Sequence, residues 1–230
     1  MDTLILIPGL NCTAALFGPQ IEALSNTHRI VVAETTQDDT IAGMAARLLA
    51  ENDGTFALAG LSMGGYVALE VYAQAPGRVA RLALLDTSAR ADVPEKIADR
   101  ERLIALAQGG RFDAVHAALW QKLVHPDRHG DAALECEVRA MAEAIGAETF
   151  VRQQRAIIGR RDSRELLPGI EIPTLVLVGD TDLLTPPDLA HEMADAIEWA
   201  SLASVPDCGH LSTIERPEAV NRALRAWLAS

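Results

Sequence analysis

Gly60-Leu61-Ser62-Met63-Gly64-Gly65 begins at the end of an apolar run, Phe56–Leu61, and leads into a helical pattern, Tyr66–Gln74. A G-x-S-x-G pattern with a strand before it and a helix after it has the context of a nucleophile elbow. Such a turn is strained and lifts the serine hydroxyl above the sheet. Side chains at positions 60 and 64 would collide with neighbouring backbone there, which is why both are glycine. The helix that follows also directs its N–H groups and the positive end of its dipole at charge developing beside Ser62. A glycine-rich strand-to-helix turn without catalysis is the plainer alternative.

A serine hydroxyl is a weak nucleophile that needs a base, and the base needs an orienting acid. His210, in Cys208-Gly209-His210-Leu211, lies after the strand pattern Ala200–Val205 and before the final helix. The glycine before it leaves the loop free to turn the imidazole toward the strand ends. His28 precedes a strand, His116 lies on a helix, and His125 and His129 flank Pro126 in a solvated turn. His191-Glu192 opens like a zinc-binding HExxH, but position 195 is Asp, so the second ligand is missing. Surface or packing roles are the default for these five.

Two acids compete. Asp182 stands in Gly179-Asp180-Thr181-Asp182 after the run Thr174–Val178, and Asp86 follows Leu82–Leu85. Either would sit at the carboxyl edge of the sheet and keep the order Ser…Asp…His. The loop that continues into Leu183-Leu184-Thr185-Pro186-Pro187 projects a carboxylate beyond its strand, which favours Asp182. Asp180 reads as a cap for loop N–H groups.

These residues need a scaffold. Thr3–Ile7, Arg29–Ala33, Phe56–Leu61, Leu82–Leu85 and Thr174–Val178 are short apolar runs bounded by turn residues, the signature of buried parallel strands. Helical patterns such as Ile41–Glu51 separate them. The fold class is therefore α/β, a mostly parallel central sheet flanked by helices. From about Ala89 to Gly169 only helical periodicity is found: Glu95–Gln108, Asp113–Leu123, Asp131–Ile145 and Ala147–Ile158. This predicts an inserted all-helical cap, residues 89–169, within a core formed by residues 1–88 and 170–230. Caps of this kind cover sites at the carboxyl ends of strands. Pro217–Leu228 closes the chain as an amphipathic helix.

The chain resembles the α/β-hydrolase fold family from its first strand to its last helix. The likeness is carried by LILIPGLNCTAALFGPQIEAL, GLSMGGYVALE, IPTLVLVGDTDLLTPP and PDCGHLSTIERPEAV. It implies a triad of Ser62, Asp182 and His210. It also implies an oxyanion hole made of the backbone N–H groups of Leu10 and Met63, two donors aimed at developing negative charge. Many relatives have His-Gly before the oxyanion residue where this chain has Pro8-Gly9. The antiparallel hairpin that often opens the fold is absent, which predicts about six strands.

With that triad the expected chemistry is acyl transfer to water. The substrate would be a small or aliphatic carboxylic ester or lactone. Carbon–carbon bond hydrolysis, cofactor-free peroxide chemistry and non-hydrolytic ligand sensing are the alternatives on the same residues. No metal or organic cofactor is signalled: GxGxxG, Walker and zinc-spaced Cys/His patterns are missing. Trp120, Met141 and Phe150 on the cap helices read as packing, and Asn11, Cys12 and the Met63 side chain as possible substrate contacts. Nine aromatic residues in the whole chain argue against a stacked aromatic cage.

The 230 residues are 49% hydrophobic, enough for one large core, and the formal net charge is −12. So acidic a chain repels phosphates, arguing against nucleic acid and anionic membrane as partners. No apolar stretch approaches the ~20 residues of a membrane span. Three widely spaced cysteines, Cys12, Cys136 and Cys208, and a first strand in place of a signal peptide make the cytoplasm the expected compartment.

Overall fold

The computed structural model describes all 230 residues. Six parallel strands form its centre: β1 (Thr3–Ile7), β2 (Arg29–Val32), β3 (Phe56–Leu61), β4 (Val79–Leu85), β5 (Thr174–Gly179) and β6 (Ala200–Val205). Their spatial order is β2-β1-β3-β4-β5-β6, and every pairing is parallel. β3 is buried at every position. β2 differs from the expectation for Arg29–Ala33, because it is half-exposed rather than buried. It lies at the sheet edge, where only one flank is covered by a neighbouring strand.

Successive strand side chains point to opposite faces, so the sheet divides its own apolar residues between two cores. Ile5 and Ile7 pack with residues of α2 (Ile41–Glu51), α3 (Met63–Gln74) and α7 (Pro187–Ala196). Leu4 and Leu6 pack on the other face with residues of α1 (Gly18–Leu24) and α9 (Pro217–Ala229). Leu58, fully buried at the centre, is the kind of residue whose truncation to Ala costs about 2–5 kcal/mol.

The chain leaves β1 for the edge strand β2 by way of α1, then returns to the other side of β1 as β3 and leaves by α3. Strand order therefore reverses between β1 and β3. The connections after these two strands go to opposite faces, and this leaves a crevice at their carboxyl ends.

Between β4 and β5 the elements are helical: α4 (Pro94–Gln108), α5 (Phe112–Leu123), α6 (Ala132–Ile158) and two short 3-10 turns. Gly146, with φ 76° and ψ 161°, interrupts α6, so the two helical patterns meet there at the predicted glycine. Ile104, Val115 and Phe150 belong to a small apolar cluster of these helices, whereas Trp120 and Met141 pack into the sheet's second core. No helix is long and apolar enough to cross a membrane. The last two elements are α8 (Ser212–Glu215) and α9.

Candidate active site

Ser62 sits between β3 and α3 with φ 56° and ψ −115°, a region that costs a non-glycine residue about 1–3 kcal/mol. Its neighbours hold it there. The Ser62 N–H donates to Leu85 O at 3.0 Å, and the Thr87 hydroxyl donates to Ser62 O at 2.7 Å. A Cβ at Gly64 would stand 2.0 Å from Ile7 O, and one at Gly60 would stand 2.1 Å from Gly64 O. The glycines thus let α3 start directly against the end of β1. The Ser62 side chain does not cap the helix and is available to a ligand.

The loop after β1 passes beside the serine. A Cβ at Gly9 would lie 3.5 Å from Ser62 Cβ, and the Asn11 N–H, two residues on, donates to Gln153 Oε1 at 3.0 Å. Neither the Leu10 N–H nor the Met63 N–H donates to another protein group. Leu10 borders the same cavity as Ser62. The Met63 side chain, expected near the substrate, is instead fully buried in the first core.

His210 is buried, and its Nδ1 lies 2.8 Å from Asp182 Oδ2. The other Asp182 oxygen accepts the N–H groups of Leu184 at 2.8 Å and Thr185 at 3.0 Å, and the Thr185 hydroxyl donates to Oδ2 at 2.6 Å. An ionised carboxylate only accepts, so Nδ1 carries the proton and Nε2 is the basic nitrogen. Burial opposes charge on both groups. The ion pair and its hydrogen bonds outweigh it, holding Asp182 below the usual carboxylate range and His210 above the usual imidazole value.

Asp86 is also buried but serves a different part of the scaffold. Its carboxyl accepts from Gly179 N at 2.9 Å and from the Ser212 hydroxyl. Burial and then the Asp182 carboxylate push it up to about 8. Asp180 accepts the N–H groups of Asp207 and Cys208, each at 3.1 Å, and so ties the histidine loop to the end of β5.

Glu215 was not singled out in the sequence. It is buried, and its carboxylate accepts from His125 N at 2.7 Å, Gly209 N at 3.0 Å and Leu211 N at 3.3 Å. His125 is accordingly not in a free solvated turn; its side chain is 12% exposed and its backbone is clamped to the histidine loop. Gly209 has a different reason than loop freedom. A Cβ there would fall 2.6 Å from His125 N, so the glycine permits two backbones to touch.

Ser62 and His210 border one cavity of about 320 Å³. His116, expected to be only packing, also reaches this wall. It stacks on Trp120 at 5.8 Å between ring centroids and hydrogen bonds Glu135 at 3.3 Å. Trp120, Met141 and Phe150 do not border the cavity, whereas Asn11 and Cys12 do. Burial pushes the Cys12 thiol up to about 12, which keeps it protonated and a poor nucleophile. No group of His, Cys, Asp and Glu side chains has the arrangement of a metal site.

A family model described as the alpha/beta hydrolase family matches residues 5–223. A thermophilic esterase from Thermogutta terrifontis has a similar structure, with a TM-score of 0.91 and 29% identity over 100% of this chain and 90% of that one. The enol-lactonase of Burkholderia xenovorans LB400 follows at a TM-score of 0.90 and 25% identity, covering 100% of this chain and 92% of that one. A relative in Azorhizobium caulinodans with the provisional name carbamate hydrolase RutD is 28% identical over 239 residues, 96% of this chain and 89% of its own length.

Proposed function

Because the chain belongs to the alpha/beta hydrolase family, we propose that it is a serine hydrolase that cleaves a carboxylic ester or lactone of a small or aliphatic substrate. The observation that carries this reading is the 2.8 Å contact between His210 Nδ1 and Asp182 Oδ2, with His210 and the strained Ser62 on one cavity wall. Relatives named esterase and enol-lactonase support the choice of ester and lactone over other acyl compounds.

In the proposed reaction Ser62 Oγ attacks the carbonyl carbon while His210 Nε2 takes the hydroxyl proton. Negative charge moves to the carbonyl oxygen, where the N–H groups of Leu10 and Met63 receive it. Each such donor is worth roughly 3 kcal/mol in the transition state. Asp182 stabilises the imidazolium formed. The tetrahedral species collapses, the carbon–oxygen bond breaks, and His210 returns the proton to the leaving alkoxide. Water then attacks the acyl-Ser62 ester as His210 removes its proton; the acid departs and Ser62 regains its hydrogen. In this reading residues 89–169 form a cap that limits water in the cavity and sets its length.

The test is hydrolysis of p-nitrophenyl esters from acetate to decanoate, with Ser62→Ala in parallel. Serine-dependent turnover with an optimum at short or medium chains is expected. Turnover that survives Ser62→Ala, or none on any ester from folded protein, would reject it. A β-diketone and a peroxide assay in the same panel read out the competing chemistries.

A further inference from the structure

The cavity wall supplied by the inserted helices is cationic, in a chain of net charge −12. Lys96 and Arg100 stand one turn apart on α4, and Lys122 lies near the end of α5. The only carboxylate on that wall, Asp99, is paired with Arg102.

Behind them, Arg100 Nε donates to Asp92 Oδ2 at 2.5 Å, and Arg160 Nη2 donates to the other Asp92 oxygen at 2.8 Å. One buried carboxylate therefore faces two guanidinium groups. With Lys96, three positive charges stand against one negative. Beyond these groups, Asp182 is engaged with His210, and Glu192 with Arg90. The ammonium of Lys96 titrates below its ordinary range because of burial and the nearby Arg100 and Arg160 charges, which Asp92 and Asp182 only partly offset.

The unused hydrogen-bonding capacity on this wall is mostly of one kind. Arg100 Nη1 donates to Gln154 Oε1 at 2.9 Å. A guanidinium can only donate, so this fixes the amide with its oxygen toward Arg100 and its NH₂ elsewhere. That Nε2 is buried without an acceptor, on a fully buried side chain of the cavity wall. Lys96 spends a single hydrogen, on Leu184 O at 3.3 Å. A buried donor without a partner is costly, and an anion would satisfy both the orphaned amide and the excess positive charge.

We propose that this wall is a carboxylate-binding subsite, so that the ester or lactone turned over at Ser62 carries a free carboxylate held by Arg100, Lys96 and Gln154. The inference rests on the serine hydrolase reading for its second half only. With Nε on Asp92 and Nη1 on Gln154, Arg100 keeps its Nη2 hydrogens for a carboxylate oxygen, and the cavity of about 320 Å³ must also hold the reacting carbonyl, which favours a small anion.

The experiment compares monomethyl glutarate with methyl pentanoate, the same acyl chain with a methyl group in place of the carboxylate. The expected ratio of kcat/KM favours the anionic ester by at least about tenfold. Lys96→Met and Arg100→Gln each lower that ratio by about tenfold or more. Arg222→Gln, an equal change of net charge on α9, leaves it in place. Lys96 makes no ion pair and bonds only to Leu184 O, so its variant keeps the test intact if loss of the Asp92 partner unfolds Arg100→Gln. In a second arm, glutarate is titrated calorimetrically into Ser62→Ala protein, with and without Lys96→Met. Binding that disappears with Lys96 supports the subsite whether or not either ester is hydrolysed. A wild-type ratio near one on esters that Ser62 cleaves overturns the subsite and spares the hydrolase reading. Binding of inorganic phosphate but not glutarate overturns it as well. Absence of any serine-dependent turnover, with glutarate bound through Lys96, rejects the hydrolase reading and keeps the subsite.

Discussion

Glu215 Oε2 accepts the backbone N–H of His125 at 2.7 Å, across 90 residues of sequence. Its other oxygen holds the N–H groups on either side of His210. Leu123 O adds to the junction by accepting the N–H groups of His210 and Leu211 at 3.0 and 3.1 Å. The loop that carries the imidazole is thereby fastened to the end of α5.

Glu215→Ala would leave the N–H groups of His125 and Gly209 without an acceptor, while Leu211 keeps Leu123 O, at a cost of about 3 kcal/mol. For a chain of this size the thermal midpoint is expected to fall by about 6–12 °C, followed by circular dichroism. Ester turnover should fall as well, since the imidazole loses its fixed position. An unchanged midpoint would mean that water replaces the carboxylate without loss.

Ser62 stores strain that glycine would release. Ser62→Gly is expected to abolish turnover and to stabilise the fold by about 1 kcal/mol, the relief of a positive φ less the added chain entropy of glycine. The midpoint should rise by about 2–4 °C. Should Ser62→Gly unfold at a lower temperature than wild type, the turn is not strained.

The two buried aspartates are separable by mutation. Asp182→Asn removes the carboxylate that faces His210 Nδ1 and is expected to lower kcat by about 10³–10⁴-fold. Asp86→Asn, which disturbs the Gly179 and Ser212 contacts but no hydrogen bond to His210, is expected to cost less than tenfold in kcat. Steady-state kinetics on one ester decides between them, and the reverse order would make Asp86 the orienting acid.

In the proposed reaction turnover depends on neutral His210, whose pKa lies above its ordinary value because Asp182 outweighs burial. Protonation removes the base, so kcat/KM should be low in acid and climb as pH rises, with its midpoint above the ordinary imidazole value of about 6.5. A rate profile from pH 5 to 9 measures this. A flat profile, or a midpoint on the acid side of 6.5, is incompatible with His210 as the base.

Much of the fold was legible because its signals are local. Five of the six strands fall where short apolar runs end at turn residues, β6 falls on the strand pattern Ala200–Val205, and the strained turn at Ser62 is written in adjacent glycines. The helical stretch between β4 and β5, broken at Gly146, follows from periodicity and one residue that tolerates φ 76°. The misreading of Arg29–Ala33 as buried has an equally simple cause: an apolar run does not state whether its strand will have one neighbour or two.

What sequence alone determined, then, was the order of elements and the chemical types standing at the strand ends: a serine on a tight turn, a histidine after the last strand and two acids. Tertiary structure decided which carboxylate meets the imidazole, why Gly209 must lack a side chain, and that the cavity wall is cationic within an acidic chain. Those outcomes depend on side chains that are far apart along the chain, 28 residues for His210 and Asp182 and 54 for Arg100 and Gln154. Only packing of the helices onto the sheet brings them within hydrogen-bond range, where charge and burial can act on one another.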